Sequence, residues 1–527
     1  MAPKVLVADK LSRLALDIFA KRGIDAHVKT DLTRDELIEI IAGYDGLAVR
    51  SATKVTEKVV AAGERLKVIG RAGIGVDNVD LKAATSRGII VMNTPFGNSI
   101  TTAEHAITLM LALARQVPLA DLTTRAGKWA KSELIGVEIT GKCLGIIGCG
   151  NIGAIVADRA RGLKMKVVAF DPYLSPERAT DLGVEKVELD ALFRRADFIT
   201  LHTPLTDKTR KIINAEAIRT MRDGVRIINC ARGGLIDEKA LFDALQSGKV
   251  AGAAIDVYEV EPATDNILFT SNNVICTPHL GASTREAQEN VAMQIAEQIS
   301  DFLLDGAIVN ALNFPSISAE ERPKLMPFLK LAEQLGSFAG QTIETGLKSV
   351  RIEYSGAVAS LNTKALTAAA LSGVLTPFLE QANMISAPAL AKERGIMVEE
   401  VSRGQEGAYE TYIRLRVGTE FNGRSVAGTV FADGKPRIVQ VGDIAMEAEL
   451  GPHMLYTENA DKPGYIGALG TVLGAADMNI ATFSLGRSAP GGTAIALLEV
   501  DQPIPDDLLE KINALPHVTR AERLLFQ

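Results

Sequence analysis

Three side chains in the middle of the chain carry the means to move a hydride and a proton at a 2-hydroxy acid: Arg232, Glu261 and His279. An arginine can grip an α-carboxylate with two parallel hydrogen bonds and polarise the adjoining carbonyl. A histidine titrates near neutrality, so it can take a hydroxyl proton on oxidation and return it on reduction. A glutamate beside it can orient the imidazole and raise its affinity for a proton. Singly, each has a plainer reading: a structural arginine, a satisfied histidine, a solvated glutamate. Position joins them. The apolar, strand-like runs 225–229, 251–257 and 274–277 lead into Arg232, Glu261 and His279 respectively. In a doubly wound parallel sheet, such strand ends converge on one crevice.

A nucleotide-binding turn lies in the same stretch. Gly148-Cys149-Gly150-Asn151-Ile152-Gly153 has the GxGxxG spacing. Gly148 permits the tight turn, Gly150 lets backbone approach a pyrophosphate, and Gly153 lets the next helix lie close on the sheet. Leu144, Ile146 and Ile147 before it suit a buried strand, and Ile152, Ile155, Val156, Ala160 and Leu163 repeat with a helical period. The free N–H groups and positive end of that helix form an anion site. A second strand, 167–170, ends in Asp171, 18 positions after Gly153. An acid there bonds adenosine ribose hydroxyls and repels a 2′-phosphate, which favours NAD. The competing reading is a glycine-rich βα turn in an unrelated α/β protein.

The elements that must hold these groups follow a simple alternation. Residues 140–285 read as repeated β-α units, with Thr203, Cys230 and Ala231 also just past strand ends. Residues 4–98 read as a smaller parallel α/β domain with strands at 5–8, 46–49, 66–70 and 89–93 and helices at 13–22 and 34–41. Arg50 and Arg71 sit at strand ends and suit an anionic substrate bearing carboxylate or phosphate; surface ion pairs are the alternative. Residues 99–115 form a strongly apolar helix whose His105 reads as packed in structure. Residues 121–139 hold the sole tryptophan, Trp129, beside Lys128 and Lys131, a candidate subunit contact.

Composition sets the limits. At 527 residues the chain is too long for one core, so two to four domains are expected. A net charge of −7 argues against nonspecific nucleic-acid binding. Cys143, Cys149, Cys230 and Cys276 form no CxxC or metal spacing and read as reduced thiols of a cytoplasmic protein, with no metal expected. The opening Met-Ala-Pro-Lys-Val-Leu-Val reads as a strand rather than a signal peptide. No apolar run approaches the roughly 18 residues of a membrane span, so no membrane partner is expected.

From about 317 the composition shifts. Helices are expected at 320–338 and 363–379, a strand at 350–354, and short strands with glycine turns through 396–450, such as 412–417 and 437–441. No catalytic motif occurs there. Residues 453–527 read β-α-β-β-α-β, the ferredoxin-like order.

These residues resemble the D-isomer-specific 2-hydroxyacid dehydrogenases, in their long form. The matching segments are VRSAT at 49–53, GRAGIGVDNVD at 70–80, GCGNIG at 148–153, NCARGGLID at 229–237, DVYEVEP at 256–262 and TPHLGAS at 277–283, spanning about 1–312. The resemblance implies a Rossmann-type doubly wound NAD domain, 99–285, inserted in a flavodoxin-like α/β substrate domain, 1–98 and 286–312. An α+β intervening domain, 317–450, and a ferredoxin-like ACT domain, 453–527, would follow. It implies a catalytic trio at Arg232, Glu261 and His279. It implies NAD contacts at Ile74, Gly148, Gly150, Asn151, Ile152, Gly153, Asp171, Thr203, Cys230, Ala231 and Asp256, and substrate contacts at Arg50, Arg71 and Asn98. The expected reaction is NAD-dependent oxidation of 3-phospho-D-glycerate to 3-phosphohydroxypyruvate, the first step of L-serine synthesis. The alternatives are another D-2-hydroxy acid (glyoxylate, hydroxypyruvate or 2-oxoglutarate), or a non-enzymatic NAD-sensing interaction protein. The ACT resemblance implies a homo-oligomer, dimer or tetramer, and an L-serine site at Asn459, Asp461 and Asn479. Some members have His where this chain has Asn459, and Asn where it has Asp461.

Overall fold

The computed structural model describes residues 2–343, 346–379, 382–404, 409–419 and 423–526. Four sheets organise them. The first is parallel and five-stranded, in the order Asp25–Val28, Lys4–Val7, Gly46–Val49, Val68–Arg71, Ile90–Asn93. That is the flavodoxin-like order. The central strands are buried on both faces, as parallel strands between helices must be. Asp25–Val28 has no counterpart in the sequence reading. It is a half-exposed edge strand with polar residues, so no apolar run marks it.

The second sheet is parallel and seven-stranded: Val274–Cys276, Val250–Ile255, Val225–Asn229, Phe198–Leu201, Cys143–Ile147, Lys166–Phe170, Glu185–Lys186. Chain order reverses between Phe198–Leu201 and Cys143–Ile147, the switch point where ligands bind such sheets. Val250–Ile255 stops two residues short of the expected strand, which leaves Asp256 in the following loop.

Two long helices tie the layers together. Ser99–Arg115 packs on the second sheet and on helix Asn151–Gly162. Arg285–Asp305 returns to the first sheet and lies across Val68–Arg71. The approach is close: a Cβ on Gly70 would fall 2.5 Å from Ile299 and 2.7 Å from Ile295.

The third sheet runs Met397–Arg403, Leu347–Gly356, Thr411–Thr419, Gly423–Val430, Pro436–Val441, Ile444–Ala448, with only its first pair parallel. Helix Arg322–Gln341 packs on it, with Thr363–Leu375 alongside. The second of these ends four residues before the expected 379: Thr376 is still helical, but Pro377 has no N–H with which to extend the ladder. The fourth sheet is antiparallel, Ile480–Arg487, Thr493–Val500, His453–Ala460, Val518–Leu525, the ferredoxin-like arrangement. Its two helices cover one face through Leu455, Leu469, Leu498 and Leu508. The opposite face buries Met454, Tyr456, Leu497 and Leu524 in one core with Phe338 of the preceding unit.

Candidate active site

The first two sheets flank a crevice of about 690 Å³, lined by residues from the carboxyl ends of strands in both. The glycine turn forms part of its approach. Gly148 has φ +91°, and a Cβ there would lie 2.5 Å from the His202 carbonyl oxygen. A Cβ on Gly153 would lie 2.1 Å from the Gly148 carbonyl, so only glycine lets the helix sit this close. A Cβ on Gly150 would meet nothing within 4 Å. Gly150 thus presents bare backbone to open space, and helix Asn151–Gly162 starts there with no side-chain cap on its free amides. Asp171, at the end of Lys166–Phe170, accepts from the N–H groups of Cys149 and Tyr173, both at 2.8 Å. A carboxylate has further lone pairs, so Asp171 is tethered to the turn and still able to accept from a ribose. Uncapped amides for a pyrophosphate and a fixed acid for a ribose fit the nucleotide half of NAD.

His279 Nδ1 lies 2.7 Å from Glu261 Oε2. The other Glu261 oxygen accepts from the Tyr258 N–H at 3.0 Å. Burial pushes the Glu261 carboxyl up, but the bonds from His279 and Tyr258 outweigh it, and the group sits below the ordinary carboxylate range. Glu261 therefore stays anionic at neutral pH, fixes one imidazole nitrogen, and leaves the other free to handle a proton.

The backbone of His279 is left-handed, φ +56°. A buried carboxylate holds it so. Asp256 accepts from Leu280 N at 2.7 Å, Gly281 N at 2.9 Å and Thr277 Oγ1 at 2.6 Å, and lies 3.3 Å from His105 Nε2. Burial again raises this carboxyl and the bonds from His105, Thr277 and Leu280 more than offset it. Asp256, expected at the cofactor, lies fully buried beneath the crevice with both oxygens hydrogen-bonded. His105, read as structural, is its partner. His105, Cys230 and Asp256 bring ligand atoms within 4.8 Å of one another. The prior claims on Asp256, and a Cys230 thiol held up by burial and by Asp256, do not favour a cation there.

Arg232 donates Nε to Asp77 Oδ2 at 2.9 Å and Nη1 to the Ala231 carbonyl at 2.6 Å. Its Nη2 points at Gly75, where a Cβ would sit 1.6 Å from that nitrogen and 2.7 Å from Cζ. Arg71 does the same at Gly73, with a Cβ 1.6 Å from its Nη1. Burial, then the nearby Arg232, pull Arg71 down to about 10 against the attraction of Asp77, so it remains a cation at neutral pH. Its Nε is buried without a partner, as is Oδ1 of Asn98, also on the crevice wall. Arg50 stands close enough to perturb Arg71, but its N–H donates to Asp9 and its guanidinium bonds the Lys10 carbonyl, outside the crevice lining. Ile74, Asn151, Ile152, Thr203, Cys230 and Ala231 all line the crevice.

Three contributors escaped the sequence reading. Asp77 sits inside a quoted motif, where only its exposed carboxylate among arginines could have marked it. Asn78 donates to the carbonyls of Arg50 and Thr53 at 2.7 Å, fastening two strand ends together. His202 lines the crevice, and burial drives its imidazole down to about 3, keeping it neutral. The expected effector residues lie in the fourth unit. Asn459 is buried with Oδ1 unpartnered, Asp461 accepts from Arg487 and Gly491 N, and Asn479 donates to Asp501.

Comparison with known proteins follows the same divisions. Residues 107–281 match the D-isomer specific 2-hydroxyacid dehydrogenase NAD binding domain, 324–442 the D-3-phosphoglycerate dehydrogenase intervening domain, and 453–517 the ACT domain. The D-3-phosphoglycerate dehydrogenase of Synechocystis sp. is 43% identical over 520 residues, 98% of this chain and 94% of that protein. That of Archaeoglobus fulgidus is 44% identical over 524 residues, 98% and 99%. The crystal structure of NAD+-bound 3-phosphoglycerate dehydrogenase from Entamoeba histolytica superposes with a TM-score of 0.52 at 30% identity, covering 59% of this chain and 99% of that one.

Proposed function

The chain belongs to the D-3-phosphoglycerate dehydrogenase family, and from that we infer that it oxidises 3-phospho-D-glycerate to 3-phosphohydroxypyruvate with NAD, opening L-serine synthesis. NAD supplies the acceptor for the hydride at C2. Gly148, Gly150, Asn151, Ile152, Gly153 and Asp171 bind its nucleotide portion, with Ile74, Thr203, Cys230 and Ala231 along the crevice. Arg232 grips the substrate carboxylate and polarises C2–O. His279 removes the hydroxyl proton, and Glu261 stabilises the imidazolium that results. Arg71 and Asn98 bind the remaining anionic groups from the opposite wall, with Arg50 behind them. The observation that carries this reading is the His279–Glu261 pair, at 2.7 Å, opening on the same crevice as Arg232 and Arg71.

The test is NADH formation from 3-phosphoglycerate, compared with glycerate, and the reverse reaction on glyoxylate and hydroxypyruvate. Strong preference for the phosphorylated acid supports the assignment. Equal or better turnover without the phosphate moves the protein to another 2-hydroxy acid, and no turnover moves it to an NAD-sensing role.

We further propose a homo-oligomer. Helix Val117–Arg125 has no buried residue; its Leu122 and, beyond it in sequence, Trp129 and Ile135 stand exposed, Trp129 at 84%. Large apolar side chains exposed in one segment are suited to cover by a second copy. L-Serine bound at Asn459, Asp461 and Asn479 is the proposed effector. No single helix among the described residues is long and apolar enough to cross a membrane, and the cytoplasm is the proposed location.

A further inference from the structure

We propose that Asp77 is a positioning residue that latches the crevice closed and aims Arg232. The argument rests on the assignment of Arg232 as the carboxylate grip. Asp77 follows strand Val68–Arg71 of the first sheet, whereas Arg232 follows Val225–Asn229 of the second. Their 2.9 Å bond therefore spans the crevice. Elsewhere the two layers meet through helix Ser99–Arg115, where Thr101 and Thr102 bond Thr284 and the Gly281 carbonyl. Away from that helix, no other hydrogen bond or ion pair among the described residues links the two walls.

The bond also sets how Arg232 is presented. A guanidinium has five N–H donors. Asp77 takes Nε and the Ala231 carbonyl takes one proton of Nη1. Gly75 makes room for the Nη2 end of the group, since any Cβ would collide with it. What remains is Nη2 and the second Nη1 proton, the end-on fork that meets a carboxylate at two points. When the walls part, Asp77 withdraws and nothing fixes the Nε edge. Closure and correct aim are then one event.

A simple electrostatic view makes the opposite prediction. Asp77 is 70% exposed, and its negative charge faces a pocket for an anion. If it acted only through charge, its removal would tighten substrate binding. The latch requires its removal to weaken catalysis, because misplacing a positioning group costs on the order of 10- to 100-fold.

The experiment compares full-length Asp77→Asn with wild type, measuring kcat and KM for 3-phosphoglycerate at saturating NAD, and Kd for NADH by fluorescence. The latch requires kcat/KM to fall by about tenfold or more with NADH affinity unchanged. It also requires Asp77→Asn to add no further loss in an Arg232→Lys background. Unchanged or raised kcat/KM overturns it. So does a loss shared with NADH affinity, or full additivity with Arg232→Lys. Should Arg232→Lys alone leave turnover intact, the assignment of Arg232 fails, and that failure is read separately from the Asp77 result.

Discussion

Asp256 shows how a single buried acid can govern a residue it does not resemble in role. Its carboxylate collects two successive backbone N–H groups that hold His279 in a left-handed turn. Asp256→Ala leaves both amides buried without an acceptor, at about 1–3 kcal/mol each. Urea unfolding should show that loss, with a fall in kcat and little change in KM for NAD. His202 gives a pH signature. Its folded value, about 3, lies below the ordinary 6.5, so the unfolded chain binds the extra proton between these limits. Stability is therefore lost as pH falls through that window, at about 1.4 kcal/mol per pH unit. His202→Gln should flatten the urea midpoint between pH 7 and pH 5; an unaltered slope would exclude this source. At this scale Arg232, Glu261 and His279 were legible because each follows an apolar run in sequence. What the sequence did not show of Asp256 is its burial and its bonds to Leu280 and Gly281, which arise once the strand ends at Ile255. Asp77 and His202 carry no type-and-spacing signal, since their roles arise from the opposite wall and from burial.

At the scale of elements, the glycine turn and the helix after it are separable by substitution. A Cβ on Gly150 meets open space, so alanine there costs only what the backbone conformation, φ −76° and ψ −148°, imposes on a residue with a Cβ. Gly150→Ala should fold with a loss of about 1 kcal/mol or less and bind NADH at least tenfold more weakly, about 1.4 kcal/mol, by fluorescence titration. Gly153→Ala should lower stability as well, because its Cβ would press 2.1 Å from the Gly148 carbonyl. Equal behaviour of the two variants would contradict the division between cradle and packing. Most strands of the two parallel sheets were readable, since strands buried on both faces are written as continuous apolar runs. The edge strand Asp25–Val28 was not, because half of it faces solvent. The overrun of helix Thr363–Leu375 came from an apolar pattern that continues past the Thr376-Pro377 stop.

Across the whole molecule, two parallel sheets joined by helices Ser99–Arg115 and Arg285–Asp305 flank one crevice. The fourth sheet shares a core with the third through Tyr456 and Phe338. No local sequence pattern could reveal that shared core, because the contact joins residues over a hundred positions apart. If two copies cover Leu122, Trp129 and Ile135, Leu122→Asp with Trp129→Ser should shift sedimentation toward a smaller species without loss of helix signal. Calorimetry with L-serine on wild type and Asp461→Ala should show heat only in the former. Oxidation of the substrate turns on proton removal by His279 in the crevice proposed for NAD. Single-turnover hydride transfer from saturating 3-phosphoglycerate, followed by NADH absorbance in wild type and His279→Ala, isolates that step. A rate reduced by about 10²- to 10⁴-fold in the variant, with NAD binding intact, is the expected result; a rate equal to wild type would contradict it.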